Sequence, residues 1–225
     1  MLPHTIRAVA FDAVGTVILP DPSAPFVYAN AARRYGIATS PSDVLTRFCT
    51  AYQLEEGSDR AAGWVTSEAR ERNRWQRIVA ATLPGSPPEC FAKLFEHFAR
   101  PEAWRVPVDA AGVFASLAAR GLKLGLASNY DSRLRSVLAG LPLLRPLAAR
   151  VIVSADLGWR KPAREFFAAV ADAMGEPPER IAFVGDDRTN DYDAAAAAGM
   201  FAVLLDPNKM SSASRQIQTL AGLLE

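Results

Sequence analysis

The sequence predicts an α/β fold: a doubly wound parallel sheet with a helical domain inserted after its first strand. Two observations predict it. Five short apolar runs read as buried strands, and helical patterns separate the later ones; that alternation is what strands laid parallel with helices on both faces produce. A long stretch, residues 20–105, parts the first run from the second and shows helical patterns without a strand signal.

The elements follow in order. Ile6–Phe11 (IRAVAF) is the first strand, and Pro20–Pro25 (PDPSAP) is a turn. Helical patterns then run over residues 26–36, 42–56, 62–82 and 89–99; Pro84, Pro87 and Pro88 break the last two apart, and Pro101 and Pro107 flank the return to the sheet. This is too long for a simple crossover. It divides the chain into a core domain, 1–19 and 106–225, and an inserted helical domain, 20–105. In the core, helix Val108–Arg120 stops at Gly121, strand Leu122–Ser128 follows, and helix Asp131–Gly140 opens on a capping-type aspartate. Strand Ala149–Ser154 precedes the amphipathic helix Ala163–Gly175, with Pro177 and Pro178 beyond it. Strand Arg180–Gly185, the alanine-rich helix Asp191–Gly199 and strand Met200–Leu205 complete the set. The strands are near-continuously apolar, as strands covered on both faces are.

Composition narrows the partners. Lys plus Arg is 25 against 24 for Asp plus Glu, a net charge of +1, which leaves no electrostatic footprint for nucleic acid or an anionic membrane. The opening MLPHTIRAVAFDA has no long apolar targeting core, and the apolar runs are too short to span a bilayer. The expectation is a cytoplasmic protein acting on a small molecule; its oligomeric state is not written in the sequence. Cys49 and Cys90 both lie in helical patterns and read as buried free thiols.

Ligands of an open parallel sheet bind beyond the carboxyl ends of its strands. Asp12, Gly15 and Thr16 follow the first strand, Ser128 and Asn129 end the second, and Lys161 lies in Asp156–Pro162 (DLGWRKP) after the third. Asp186, Asp187, Asn190 and Asp191 follow the fourth. Each has an ordinary reading alone: a turn aspartate, two capping residues, a surface lysine, a solvated loop with a capping carboxylate. Their joint occurrence at four successive strand ends is the signal.

That order resembles the haloacid dehalogenase superfamily, in particular its phosphatase branch, over nearly the whole chain. FDAVGT (Phe11–Thr16) stands at the nucleophile motif, Ser128-Asn129 at the second, Lys161-Pro162 at the third and GDDRTNDYDAAAAAGM (Gly185–Met200) at the fourth, the most specific. The resemblance implies a core with a mobile cap and a site at their interface. It implies Mg²⁺ held by Asp12, the backbone carbonyl of Val14 and Asp186, with Asp191 in the first or second shell. Thr16, Ser128, Asn129 and Lys161 would bind phosphoryl oxygens, Lys161 also steadying Asp12. The implied reaction is hydrolysis of a small phosphorylated metabolite through an aspartyl-phosphate.

Val14 departs from the family pattern, which places there the aspartate that protonates the leaving group and then activates water. Such assistance is worth about 10²–10⁴-fold. Three readings follow. One is a different reaction: 2-haloacid dehalogenation expels halide and needs no acid, but the metal-type Asp186 and Asp191 argue against it, while phosphonate cleavage would need a cap lysine, and Lys93 reads as a solvated helix residue. Another is a phosphatase with impaired proton transfer, best on acyl or aryl phosphates. The last is a binding or regulatory protein without turnover. In the inserted domain, Arg70, Arg74 and Arg77 read as a solvated face paired with Glu68 and Glu71, and Trp75, Ile78 and Val79 as the buried stripe, Trp75 alternatively overhanging the site. Asp187 reads as a spare ligand or an exposed residue, and Trp159 as packing or contact.

Overall fold

The computed structural model describes residues 2–210 and 212–225. In chain order the elements are β1 (Ala8–Phe11), β2 (Leu19–Pro20), α1 (Ala24–Arg33), α2 (Pro41–Ala61), α3 (Glu68–Thr82), α4 (Pro88–His97), β3 (Trp104–Arg105), α5 (Ala110–Ala119), β4 (Lys123–Ser128), α6 (Arg133–Ala139), β5 (Val151–Val153), α7 (Ser154–Leu157), α8 (Arg164–Met174), β6 (Ile181–Gly185), α9 (Ala194–Ala197), β7 (Phe201–Leu205) and β8 (Gln216–Ile217). Six strands form one parallel sheet in the order β5-β4-β1-β6-β7-β8. The five runs expected from the sequence are all there; β8, a two-residue edge strand, is added to them.

Strand β1 shows why apolar runs fit this position. Val9 and Phe11 face the layer containing α5, where Phe11 meets Phe114 edge-on at 5.2 Å. Ala8 and Ala10 face α8, whose Phe167 meets Phe183 of β6 at 5.3 Å. Both faces are covered, so both sets of alternating side chains must be apolar. Helix α8 ends as expected: Gly175 takes the left-handed conformation at φ +61° and its N–H returns to the Ala171 carbonyl.

Helices α1–α4 form the insertion. Strand β2, entering it, pairs antiparallel with β3, leaving it, Leu19 opposite Arg105 and Pro20 opposite Trp104, so both crossings run side by side. Helix α2 starts at Pro41, where Ser40 and Asp43 cap each other's backbone and Pro41 suits the first turn, and runs on to Ala61, past the 42–56 pattern. Helix α3 begins at Glu68, not at 62: Trp64 has φ +63°, Val65 bridges to Trp159 of the core, and Ser67 caps the helix by accepting from the Arg70 N–H. Tyr28, Val44, Val79, Leu83 and Cys90 pack inside the insertion.

Two expectations are corrected here. Cys90 is buried but Cys49 is exposed, because it lies on the outer side of α2. The arginines of α3 are not one solvated face paired within the helix: Arg77 is exposed, Arg70 partly buried and Arg74 buried. Arg74 is 1% exposed, with Nε 2.8 Å from Asp59 and a terminal nitrogen 2.9 Å from Glu56. Arg70 and Arg77 pair with Asp59 (3.3 Å) and Glu55 (2.7 Å) on α2. Glu71 is itself buried and binds Arg160, a core residue next to Lys161, while Thr66 donates to it at 2.7 Å. Glu68 reaches the core at Ser132. The partners lie on other elements, so local spacing misreads them.

Candidate active site

The register sets the site. Phe11 pairs with Leu126 on one side and Val184 on the other, so β1, β4 and β6 end level. Asp12, Ser128 and Asp186 stand one or two residues past that line. The β5 loop brings Lys161 between them. Lys161 Nζ lies 2.5 Å from Asp12 Oδ1 and 2.5 Å from Asp191 Oδ1, and Ser128 Oγ donates to Asp12 Oδ1 at 3.0 Å. Both bonds fall on one oxygen of Asp12, so its two oxygens are inequivalent.

Close approach in this cluster requires glycine at two places. A Cβ on Gly15, which has φ +91°, would lie 2.2 Å from Asp186 Oδ2, and one on Gly185 would lie 2.1 Å from Asp191 Oδ2. Thr16, fully buried, donates to Asp186 Oδ1 at 3.2 Å. Asn129 brackets the backbone of Lys161, accepting from its N–H at 2.7 Å and donating to its carbonyl at 3.0 Å. The loop after β6 is a widened π-type turn, Arg188–Asp193, a form often found at functional sites. Asp187 caps it, accepting from the N–H groups of Thr189 and Asn190, and it also lines the pocket. Trp159 is half-buried in the bridge to Val65 and does not line the pocket. Lys93 is exposed and pairs with Glu96 at 3.6 Å.

Asp12, Asp186 and Asp191 offer carboxylate oxygens that all lie within 4.8 Å of one another. Three carboxylates and one ammonium leave two negative charges in excess. Lys161 is pushed up despite its burial, by Asp12 and Asp191. Burial first, and then Asp12, raise Asp186 to about 8, although part of its side chain remains exposed at the pocket. Burial raises Asp191 to about 7, with Asp12 adding to it and Lys161 opposing. An all-oxygen set with this unmet charge fits a hard divalent cation such as Mg²⁺.

The sign of a pH effect follows. Carboxyls whose folded pKa is raised hold protons more tightly folded than unfolded, so their contribution to stability is full below about pH 4 and is lost as pH rises through 7 to 8. A cation that needs both ionised binds better across the same window. Mg²⁺ is therefore expected to raise the melting temperature more at about pH 8.5 than at about pH 6, as thermal melts with and without the ion would show. An equal increment at both pH values would contradict it.

A cavity of about 340 Å³ opens over these residues. Its floor is Asp12, Val14, Ser128, Asn129, Lys161, Asp186 and Asp191, and its far wall is built mainly by the insertion. Trp75 and Val79 line it, while Ile78 is buried behind. The aromatic wall, which no local pattern announces, comes from α1, α2, α3, α4, β3 and the loop after β4.

The sequence profile of haloacid dehalogenase-like hydrolases matches residues 6–199. The human "Haloacid dehalogenase-like hydrolase domain-containing protein 3" is 29% identical over 97% of this chain and 92% of its own. The phosphoglycolate phosphatase of Escherichia coli O157:H7 is 31% identical over 86% of this chain and 79% of its own. Among solved structures, the magnesium-bound HAD-hydrolase YfnB of Bacillus subtilis superposes with a TM-score of 0.77 at 19% identity, over 97% of this chain and 96% of that one; at that identity the likeness concerns the fold. No helix of the described residues is long and apolar enough to cross a membrane.

Proposed function

The chain belongs to the haloacid dehalogenase-like hydrolases, and from that premise we propose that it is a Mg²⁺-dependent phosphatase working through a phosphorylated Asp12 without a general acid. The observation that carries this reading is the triad Asp12, Asp186 and Asp191, its first and last members buried and Asp186 exposed at the pocket, with one lysine against its excess negative charge. Mg²⁺ would be held by Asp12, the Val14 carbonyl and Asp186, with Asp191 beside them. When bound it offsets the repulsion between a carboxylate nucleophile and a phosphate dianion.

The chain's own groups do the rest. Lys161 and Ser128 together fix the Asp12 carboxylate through one oxygen, leaving the other to attack phosphorus. Asn129 holds the Lys161 loop in place, and Thr16 holds Asp186. Val14 lines the pocket beside the nucleophile and also packs against the core; it has no proton to give a leaving oxygen and cannot accept one from water. Attack on the phosphoenzyme by water is then the slow step.

The dehalogenase reading fits less well. A 2-haloacid carries a carboxylate, and the guanidinium in the pocket, Arg133, already binds both oxygens of Asp131 at 2.7 and 2.8 Å. The family's metal-type carboxylates are present as well.

Intact-mass spectrometry after brief incubation with acetyl phosphate tests the reading. The expected result is a Mg²⁺-dependent gain of one phosphoryl group that persists in the wild type and is absent from Asp12→Asn. Absence of both labelling and phosphate release would sink the phosphatase reading and favour the dehalogenase or binding-protein alternatives.

A further inference from the structure

Nine of the residues lining the cavity are aromatic, among them Tyr28, Phe48, Trp75, Phe95, Trp104 and Tyr130. Two of their polar ends are turned elsewhere. Tyr130 Oη and Trp104 Nε1 both donate to the Phe98 carbonyl, at 3.1 and 3.2 Å. The wall therefore presents ring faces and edges: Phe48 meets Tyr28 edge-on at 5.8 Å and Trp75 at 6.4 Å.

The cations lining the cavity are also occupied. Lys161 lies between Asp12 and Asp191. Arg133 uses Nε and one terminal nitrogen on Asp131 and the other on the Phe95 carbonyl at 3.0 Å, while its plane lies 3.4 Å from the centre of the Phe95 ring. Beyond the phosphoryl end, no lining cation is left to neutralise a second anionic group, and a polyhydroxylated sugar would bury its hydroxyls against rings. A flat, uncharged aromatic group gains from the same wall, by burial and by ring–ring contact worth about 0.5–1.5 kcal/mol per pair.

Val14 points the same way by a separate route. A leaving group that departs beside a valine departs without a proton. An alkoxide is about as basic as hydroxide, whose parent acid, water, has a pKa of about 15.7; a phenoxide's is about 10. Only the second is a tolerable leaving group here.

We propose that the substrate is an aryl phosphate monoester, its phosphoryl group on Asp12 and Lys161 and its ring against the aromatic wall; this rests on the phosphatase reading. A carboxylate oxygen of Asp12 bonds to phosphorus as the P–O(aryl) bond breaks. The aryloxide leaves with the electron pair and takes its proton from water. A second water then attacks phosphorus, the P–O(Asp12) bond breaks, and Asp12 returns as a carboxylate while the water's protons pass to phosphate and solvent.

The test has three arms on the full chain with Mg²⁺. The first compares kcat/KM for 2-naphthyl, phenyl and glycerol phosphates, with 2-naphthyl expected to exceed glycerol phosphate by at least about 10³-fold. The second measures binding of 2-naphthylmethylphosphonate and methylphosphonate, which carry the same charge and do not react, by quenching of tryptophan fluorescence or calorimetry. The aromatic ligand should bind at least about tenfold more tightly, and Phe48→Ala should narrow that ratio. The third is Asp12 labelling by acetyl phosphate. Labelling without a preference for aryl over alkyl phosphates overturns the substrate class and leaves the phosphatase reading standing. A preference in rate with equal phosphonate affinities assigns it to leaving-group chemistry alone and overturns the aromatic seat. No labelling and no turnover on any ester overturns both.

Discussion

Val14→Asp should raise turnover on an alkyl phosphate such as glycerol phosphate by about 10²–10⁴-fold, the usual worth of positioned acid–base assistance. The side chains are of similar size, and Val14 sits half-buried on the cavity floor beside Asp12. A carboxyl placed there would stand beside the nucleophile, able when protonated to donate to the leaving oxygen in one step and, once ionised, to accept from water in the next. The gain in kcat/KM should be smallest for aryl phosphates, whose departure needs no proton, while the phosphoenzyme should decay faster in the variant whichever ester formed it. Steady-state rates on both ester classes, with a chase of labelled Asp12, measure this. An unchanged or lower rate in a folded variant that still binds Mg²⁺ would show that Val14 is not what limits turnover.

How much of this was legible in the sequence depended on where the determining contacts lie. The five main strands were readable because a parallel strand covered on both faces must be apolar at every position, as Val9, Phe11, Ala8 and Ala10 are. The convergence of Asp12, Lys161 and the acidic cluster was readable because successive strand ends carry them in a fixed order. The short strands Leu19–Pro20, Trp104–Arg105 and Gln216–Ile217 were not, since two residues hold no periodicity. The aromatic wall stayed hidden for a different reason. Tyr28, Phe48, Trp75, Phe95, Trp104 and Tyr130 come from six separate elements, and only their convergence makes a surface. Arg74 misled most: charged residues at helical spacing look solvated, and nothing local reveals that Asp59 and Glu56 bury it.

Arg160→Met should cost about 3–5 kcal/mol of stability, the penalty for removing one partner from a buried ion pair. Arg160 comes from the loop that carries Lys161, yet its guanidinium enters the insertion's acidic cluster. It binds Glu71, lies 3.5 Å from Glu56, and faces Asp59 at 3.5 Å without hydrogen-bond geometry. Arg160, Glu71 and Asp59 are each 1% exposed. Methionine keeps much of the stem's packing but leaves Glu71 a buried carboxylate with only Thr66 to bond it. At about 2–4 °C per kcal/mol for a chain of this size, the melting temperature should fall by roughly 6–20 °C. Arg77→Met is the contrast: Arg77 is half-exposed against Glu55, and such a pair is worth about 1 kcal/mol at most. Adding Glu71→Gln to Arg160→Met should recover part of the loss, because the stranded charge is then gone. The backbone runs the same way, since the Arg160 N–H donates to Trp64 and the Thr66 N–H to Gly158 across the boundary. The insertion is thus fastened to the lysine loop itself, and loosening Arg160 should also slow phosphorylation of Asp12 under conditions where the variant stays folded. A loss below about 1 kcal/mol, with labelling unchanged, would mean that the buried cluster neither stabilises this boundary nor positions Lys161.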